Sequence, residues 1–205
     1  MHRIAAAIAS AACAAVVATP SGVDATVSRG SGLAVKKADS SASQAVSEAD
    51  AAPLLATLVQ THTDERVLLD EKSPTAERFS TLLADRVTGE AHDFDPKLLG
   101  LLRALAKKHG ENGPIRIELV SGYRSAKLNE MMRKKGHHVA SHSQHSLGHA
   151  VDFRIVLPGE EKAMDPRVVE REIRELGWEG GVGTYPSKSD WFVHADVGAN
   201  RRWGG

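Results

Sequence analysis

Five of the ten histidines in this chain, His137, His138, His142, His145 and His149, fall within thirteen residues, and a carboxylate follows closely behind them. In the run Ser143-Gln144-His145-Ser146-Leu147-Gly148-His149-Ala150-Val151-Asp152-Phe153, one imidazole stands seven positions before Asp152. Imidazole nitrogen and carboxylate oxygen are donors that a divalent metal accepts readily. The segment also has a suitable shape: His145 lies in a loop, Gly148 lets the backbone turn, and Asp152 falls inside the strand that follows. A loop end and a strand interior can then aim two ligands at one ion. Asp152 sits between Val151 and Phe153, where an unpaired carboxylate is costly. A bound cation satisfies it, but so does an ion pair with Arg154 or Lys162. On these two residues alone, a metal site and a solvated histidine-rich loop are equally good readings.

Two further segments shift that balance. Trp191-Phe192-Val193-His194-Ala195-Asp196 is an apolar strand interrupted by a histidine and an aspartate. Side chains alternate across a strand, so His194 and Asp196 share one face and Val193 and Ala195 the other. In Val120-Ser121-Gly122-Tyr123-Arg124-Ser125, a strand and a glycine turn deliver an arginine to the entrance of a helix. A catalytic zinc commonly keeps three protein ligands and one open position. His145, Asp152 and His194 supply three, which leaves Arg124 and Asp196 for other work. His142 and His149 read as cleft-lining or surface residues, and Tyr123 and Trp191 as core packing before substrate stacking.

The elements that must position these groups are legible from local signals. Residues 58–63 and Arg66–Leu69 flank Asp64-Glu65 as a short hairpin would. Ser73-Pro74 predicts a helix start, with Phe79, Leu82 and Leu83 on one face. Asp95-Pro96 opens a second helix in which Leu98, Leu101, Leu102 and Leu105 recur at helical spacing. Ile115 to Val120 is a β-branched strand. Ser125 caps a helix carrying Leu128, Met131 and Met132 and closed by Gly136. Ala150 to Val156 is a strand, and Asp165-Pro166 opens a helix with Val169, Ile173 and Leu176 in one stripe, stopped by Gly177. Short strands near Val182–Tyr185 and Phe192–Ala195 end the chain. Helices and strands mix without a regular βαβ repeat, so the expected class is α+β, a small antiparallel sheet flanked by helices in a single domain.

That domain takes up residues 54–205. Residues 1–18 read as a signal peptide: Arg3 precedes an Ala-rich apolar run too short to span a bilayer comfortably. Residues 19–53, rich in Ala, Ser, Asp and Gly without apolar periodicity, read as a flexible linker. The only cysteine, Cys13, lies in the leader; lipoprotein anchoring there is a minor alternative, and the mature chain would carry no thiol for a disulfide, a ligand or a nucleophile. The 26 basic and 26 acidic residues balance, which argues against nucleic acid as a partner. No segment after residue 18 is long and apolar enough to be a transmembrane helix.

The three ordered motifs, S-G-Y-R-S at Ser121–Ser125, S-x-H-x-x-G-x-A-x-D at Ser143–Asp152 and F-V-H-x-D at Phe192–Asp196, resemble the murein endopeptidase K branch of the zinc D-Ala-D-Ala carboxypeptidase superfamily, whose fold hedgehog signalling domains share. The resemblance covers about residues 56–203. It implies a Zn2+ ion on His145, Asp152 and His194, an arginine, Arg124, facing the scissile carbonyl, and as substrate the peptide stems or crosslinks of peptidoglycan. Export to the periplasm or cell envelope follows from that substrate. One role transfers poorly. Related branches place a glutamate three residues before the last zinc histidine, or a histidine two before it, and here those positions hold Trp191 and Phe192. The general base must come from elsewhere, with Asp196 and Asp190 as candidates. Strand alternation favours Asp196, whose other reading is a partner that orients a ligand imidazole. The alternative to an enzyme is a zinc-containing cell-wall-binding module without catalysis.

Overall fold

A computed structural model describes residues 52–135 and 143–204, which belong to one compact unit, Ser47–Gly205. The expected leader with Cys13, nearly all of the expected linker, and Gly136, His137, His138 and His142 lie outside the described residues.

The hairpin β1 (Ala56–Gln60) and β2 (Arg66–Leu69) opens the fold, followed by α1 (Ala76–Leu82) and α2 (Pro96–His109). Then come β3 (Ile115–Ser121), α3 (Ala126–Lys134), a 3-10 turn at Gln144–Leu147, β4 (Ala150–Val156) and α4 (Pro166–Glu175). The strands β5 (Gly181–Pro186), β6 (Trp191–Asp196) and β7 (Arg202–Gly204) complete it. The α+β class is as expected, but the sheet is larger and less uniform. Seven strands lie in the order β2-β1-β3-β4-β6-β5-β7, and β1–β3 and β5–β7 pair in parallel. The expectation of a small antiparallel sheet fails at those two joins because each depends on contacts distant in sequence. Helices α1 and α2 fill the crossover between β1 and β3, the kind of long connection a parallel pair requires.

Helix starts follow their caps. Asp95, Ser125 and Asp165 each accept a hydrogen bond from the backbone N–H two or three residues on, and Pro96 and Pro166 occupy the first turn. Ser73-Pro74 is not a helix start. The Asp70 carboxylate accepts from the Lys72 and Ser73 N–H groups, so Ser73 belongs to a turn, and Thr75 caps α1 instead.

One face of the sheet is apolar and the other carries the polar constellation. Ile115, Ile117 and Leu119 of β3, Val151, Phe153 and Ile155 of β4, Val182 of β5, and Val193 and Ala195 of β6 pack against Phe79 and Leu82 of α1, Leu98, Leu102 and Leu105 of α2, and Val169 and Ile173 of α4. Each fully buried Val, Leu, Ile or Phe among them stabilises the fold by about 1.5–3 kcal/mol. Alternation then sends Asp152, Arg154, Phe192, His194 and Asp196 to the opposite face.

Candidate metal centre

Register builds the site. Asp152 on β4 lies directly across from His194 on β6, so two of the three candidate ligands are cross-strand neighbours about 5 Å apart at the backbone. His145 comes from the 3-10 turn just before β4. That turn ends at Gly148, whose φ of 68° is left-handed and whose Cβ, if it had one, would collide with the Asp93 carbonyl oxygen. Only glycine fits there, and it folds His145 back over the strand it precedes. His145, Asp152 and His194 are 2 %, 2 % and 8 % exposed, and their donor atoms lie within 4.8 Å of one another. Among the described residues this is the group of three found able to hold a metal ion.

The hydrogen bonds around the imidazoles fix which nitrogen faces inward. His145 Nδ1 lies 2.8 Å from the Gly122 carbonyl oxygen, which can only accept, so Nδ1 carries the proton. His194 Nε2 lies 3.0 Å from Asp196 Oδ2, so there Nε2 carries it. The nitrogens turned inward are therefore His145 Nε2 and His194 Nδ1, 3.1 Å apart. Asp152 Oδ1 completes the triangle at 2.8 Å from His194 Nδ1 and 3.2 Å from His145 Nε2. Three such metal-donor atoms converging in a buried space are held together by a shared cation, either a proton on the His194 ring or a metal ion in its place. Tetrahedral zinc with bonds of about 2.0–2.2 Å sets its donors about 3.3–3.6 Å apart, so an opening of a few tenths of an ångström accommodates it.

The electrostatics match that donor set. Burial pushes the His145 imidazole below its ordinary value, and Asp152 only partly offsets this, so the ring is held neutral. Burial opposes charge on Asp152, but the surrounding imidazoles and the Arg124 guanidinium overcome it and hold the carboxyl well below the usual range. His194 is also penalised by burial, yet its hydrogen bonds to Asp152 and Asp196 raise it. The neutral His145 ring and the ionised Asp152 carboxylate are thus already in the forms that bind metal, while His194 must give up a proton for a metal to enter.

Arg124 reaches the same centre. Its Nε donates to Ser121 Oγ at 2.9 Å and its Nη2 pairs with Asp152 Oδ2. The loop that presents it is held from three sides: Tyr123 N–H donates to the Leu83 carbonyl, Arg124 N–H to the His145 carbonyl, and Ser125 N–H to Asp85 Oδ2. Asp85 is 1 % exposed and also accepts from the Val87 and Thr88 N–H groups, which together hold its carboxyl below the ordinary value against the opposing effect of burial. Sequence reasoning passed over Asp85. Its signal was the Asx-turn pattern of an aspartate two and three residues before the N–H groups it captures.

The two candidate bases are placed differently. Asp196 is fully buried behind His194; its Oδ2 takes His194 Nε2 and Arg201 at 2.9 Å, and its Oδ1 takes Gly198 N–H at 2.8 Å. Asp190 is exposed just before β6, its carboxylate accepting from the Ser187 and Ser189 hydroxyls, four residues or about 13 Å of strand from His194. The structure brings Asp196 to the centre and leaves Asp190 away from it. Trp191 is half-buried and its indole donates to the Met164 carbonyl, while Tyr123 stacks on His92 at 4.9 Å. A residue missed in the sequence, Trp203, lies against His194 at 5.1 Å between ring centres and fills the space that a Cβ on Gly183 would need.

A sheet face presenting two imidazoles, a carboxylate and a guanidinium in one buried cluster has the donor set of a metal centre. The chain belongs to the peptidoglycan L,D-endopeptidase MepK family, whose model matches residues 55–203. Among curated relatives, a Haemophilus influenzae protein named "Probable peptidoglycan L,D-endopeptidase MepK" is 36% identical over 124 residues, 60% of this chain and 61% of that protein. The Escherichia coli peptidoglycan L,D-endopeptidase MepK is 31% identical over 160 residues, 74% of this chain and 80% of that one. The crystal structure of Serratia marcescens L-Ala D-Glu endopeptidase ChiX overlaps half of this chain and 80% of its own, at 21% identity and a TM-score of 0.35.

Proposed function

We propose that this chain is a zinc-dependent peptidoglycan endopeptidase that hydrolyses an amide bond in the peptide stems or crosslinks of the cell wall. The observation that carries the reading is the convergence of His145 Nε2, Asp152 Oδ1 and His194 Nδ1 in one buried cluster, with the outer imidazole nitrogens held by the Gly122 carbonyl and Asp196. The names borne by the family and its relatives support an L,D-crosslink as the bond cut. The Ala-rich run at residues 1–18 supports export, and the polymer lies outside the cytoplasm.

A bound zinc ion supplies a Lewis acid and makes water nucleophilic near neutral pH. The chain's own groups do the rest. Arg124, held by Ser121 and Asp152, presents its guanidinium where negative charge develops on the scissile carbonyl oxygen, an interaction strongest in the transition state. Asp196 orients His194 instead of taking a proton, because both its oxygens are engaged. Asp190 serves as base only if the segment before β6 moves inward.

That occupation of Asp196 favours one second reading, a zinc-containing module that binds the wall without cutting it. Digestion of purified L,D- and D,D-crosslinked muropeptides, with zinc and with a chelator, followed by mass spectrometry, decides. Chelator-sensitive cleavage of the L,D-crosslink is expected. Binding without cleavage supports the module, and cleavage that survives complete metal removal overturns the mechanism.

A further inference from the structure

One row of side chains next to the metal centre has no role so far. On the same open face, two residues beyond Asp152, stands Arg154, paired across the sheet with Glu118 of β3. One residue past the Phe153–Val193 pair, the β4–β6 register sets Arg154 beside Phe192, which is itself paired with Tyr185. The row Glu118, Arg154, Phe192, Tyr185 therefore runs parallel to the row Asp152, His194, Gly183, at about 7 Å, the same-face repeat of a strand. An extended peptide substrate has that same repeat, so a group on a substrate residue near the scissile bond reaches this row.

With Arg116, two residues before Glu118 on β3, the row carries a surplus positive charge. Glu118 Oε1 lies 3.1 Å from Arg116 Nε and its Oε2 lies 3.2 Å from Arg154 Nε. Two guanidinium groups thus share one carboxylate, and Arg116 makes a hydrogen bond to it. Arg154 does not: its Nε is buried, close to Glu118 but off the hydrogen-bonding direction, and has no partner. Among the described residues no hydrogen bond satisfies any nitrogen of this guanidinium, although the side chain is only 34% exposed. With Nε turned in against Glu118, the two terminal amino groups of this partly exposed side chain are left for an acceptor that arrives from outside. Beside it, Tyr185 and Phe192 stack at 4.5 Å between ring centres and 18° between planes, giving the row a half-buried apolar end.

We propose that Arg154 is the carboxylate-binding subsite of this enzyme, receiving a free carboxylate of the stem peptide next to the bond that is cut, with the Tyr185–Phe192 pair against the aliphatic part of the same substrate residue. Stem peptides are rich in such groups, because their acidic residues are linked through side chains or distal carboxyls and leave carboxylates unbonded. This subsite rests on the reading of the centre as a peptidoglycan endopeptidase, and it makes acidity a determinant of substrate choice.

The test uses the zinc-loaded protein and two muropeptides of identical crosslink, one with free carboxylates and one with those groups amidated. For the unaltered protein, KM and the Kd from calorimetry are expected to be about ten- to a hundredfold weaker for the amidated form, the scale of a lost charge-assisted hydrogen bond, with kcat changed much less. In Arg154→Gln the two substrates are expected to become equivalent, and Arg154→Lys to recover only part of the preference, since a point charge lacks the planar fork. Equal KM and Kd for both substrates in the unaltered protein overturns the subsite and leaves the activity intact. So does an Arg154→Gln variant that retains the preference. Discrimination in Kd without cleavage of either substrate keeps the subsite and removes the endopeptidase reading.

Discussion

Removing the carboxylate of Asp196 separates orientation from proton transfer. Asp196 is fully buried and makes three hydrogen bonds, to His194 Nε2, Arg201 and Gly198 N–H. All three partners donate. In Asp196→Asn one oxygen must do what two did, so the new amide either keeps His194 and Arg201 and turns its NH2 against the Gly198 N–H, or the reverse. Either way the proton on His194 Nε2 is held less firmly, and with it the orientation of the Nδ1 that faces Asp152. Loss of such a partner costs roughly ten- to a hundredfold in metal affinity, or about 1.4–2.8 kcal/mol. One mispaired buried donor adds about 1–3 kcal/mol of lost fold stability. The assay is zinc titration against a chromophoric competitor, with turnover measured at saturating zinc. We expect weaker zinc binding and activity largely restored by excess metal. Zinc affinity at the unaltered level, with turnover abolished at saturation, refutes the orienting role and makes Asp196 the base.

Three further outcomes follow from the same geometry. Metal removal should lower the melting temperature by about 10 °C relative to protein with zinc a thousandfold above its Kd, read by calorimetry. The Asp85 carboxyl is held below its ordinary value of 3.8, so its contribution to stability is complete above that pH and is lost as pH falls through the lower folded value. The difference in urea midpoint between unaltered protein and Asp85→Asn should therefore be large at pH 7 and shrink below about pH 4; a pH-independent difference would count against this. Phe153 is fully buried, and Phe153→Ala should cost about 3–5 kcal/mol in urea unfolding.

How far the sequence reveals the fold depends on the range of the interaction concerned. Asp95-Pro96, Ser125 and Asp165-Pro166 announce helices correctly because a cap is a contact within three residues. Ser73-Pro74 misleads because a competing local acceptor, Asp70, captures the Ser73 N–H. Strand β7 has three residues and no pattern of its own. It is held in place by Trp203 against Gly183 and by an ion pair from Arg202 to the buried Glu170 of α4, contacts invisible without the fold. The parallel joins are hidden for the same reason. At the centre, period-two alternation is enough to put His194 and Asp196 on one face, but which nitrogen of His194 points inward depends on where the Asp196 carboxylate ends up.

The apolar face and the metal face of the sheet enforce the same register, and that coupling makes the centre robust. Val193 and Ala195 sit opposite Phe153 and Val151 on the helix-covered side, while His194 sits opposite Asp152 on the open side. A one-residue slip of β6 along β4 turns every side chain over. It would bury His194 and Asp196 against α2 and α4 and expose Val193 and Ala195, losing several side chains' worth of burial at about 1.5–3 kcal/mol for a valine and adding unpaired polar groups inside. The hydrophobic effect thus selects the alignment that brings Asp152 and His194 together, before any ion is present. His145 is then the one candidate ligand that register does not place, and Gly148 supplies the missing constraint by admitting a left-handed backbone turn that returns it to the strand.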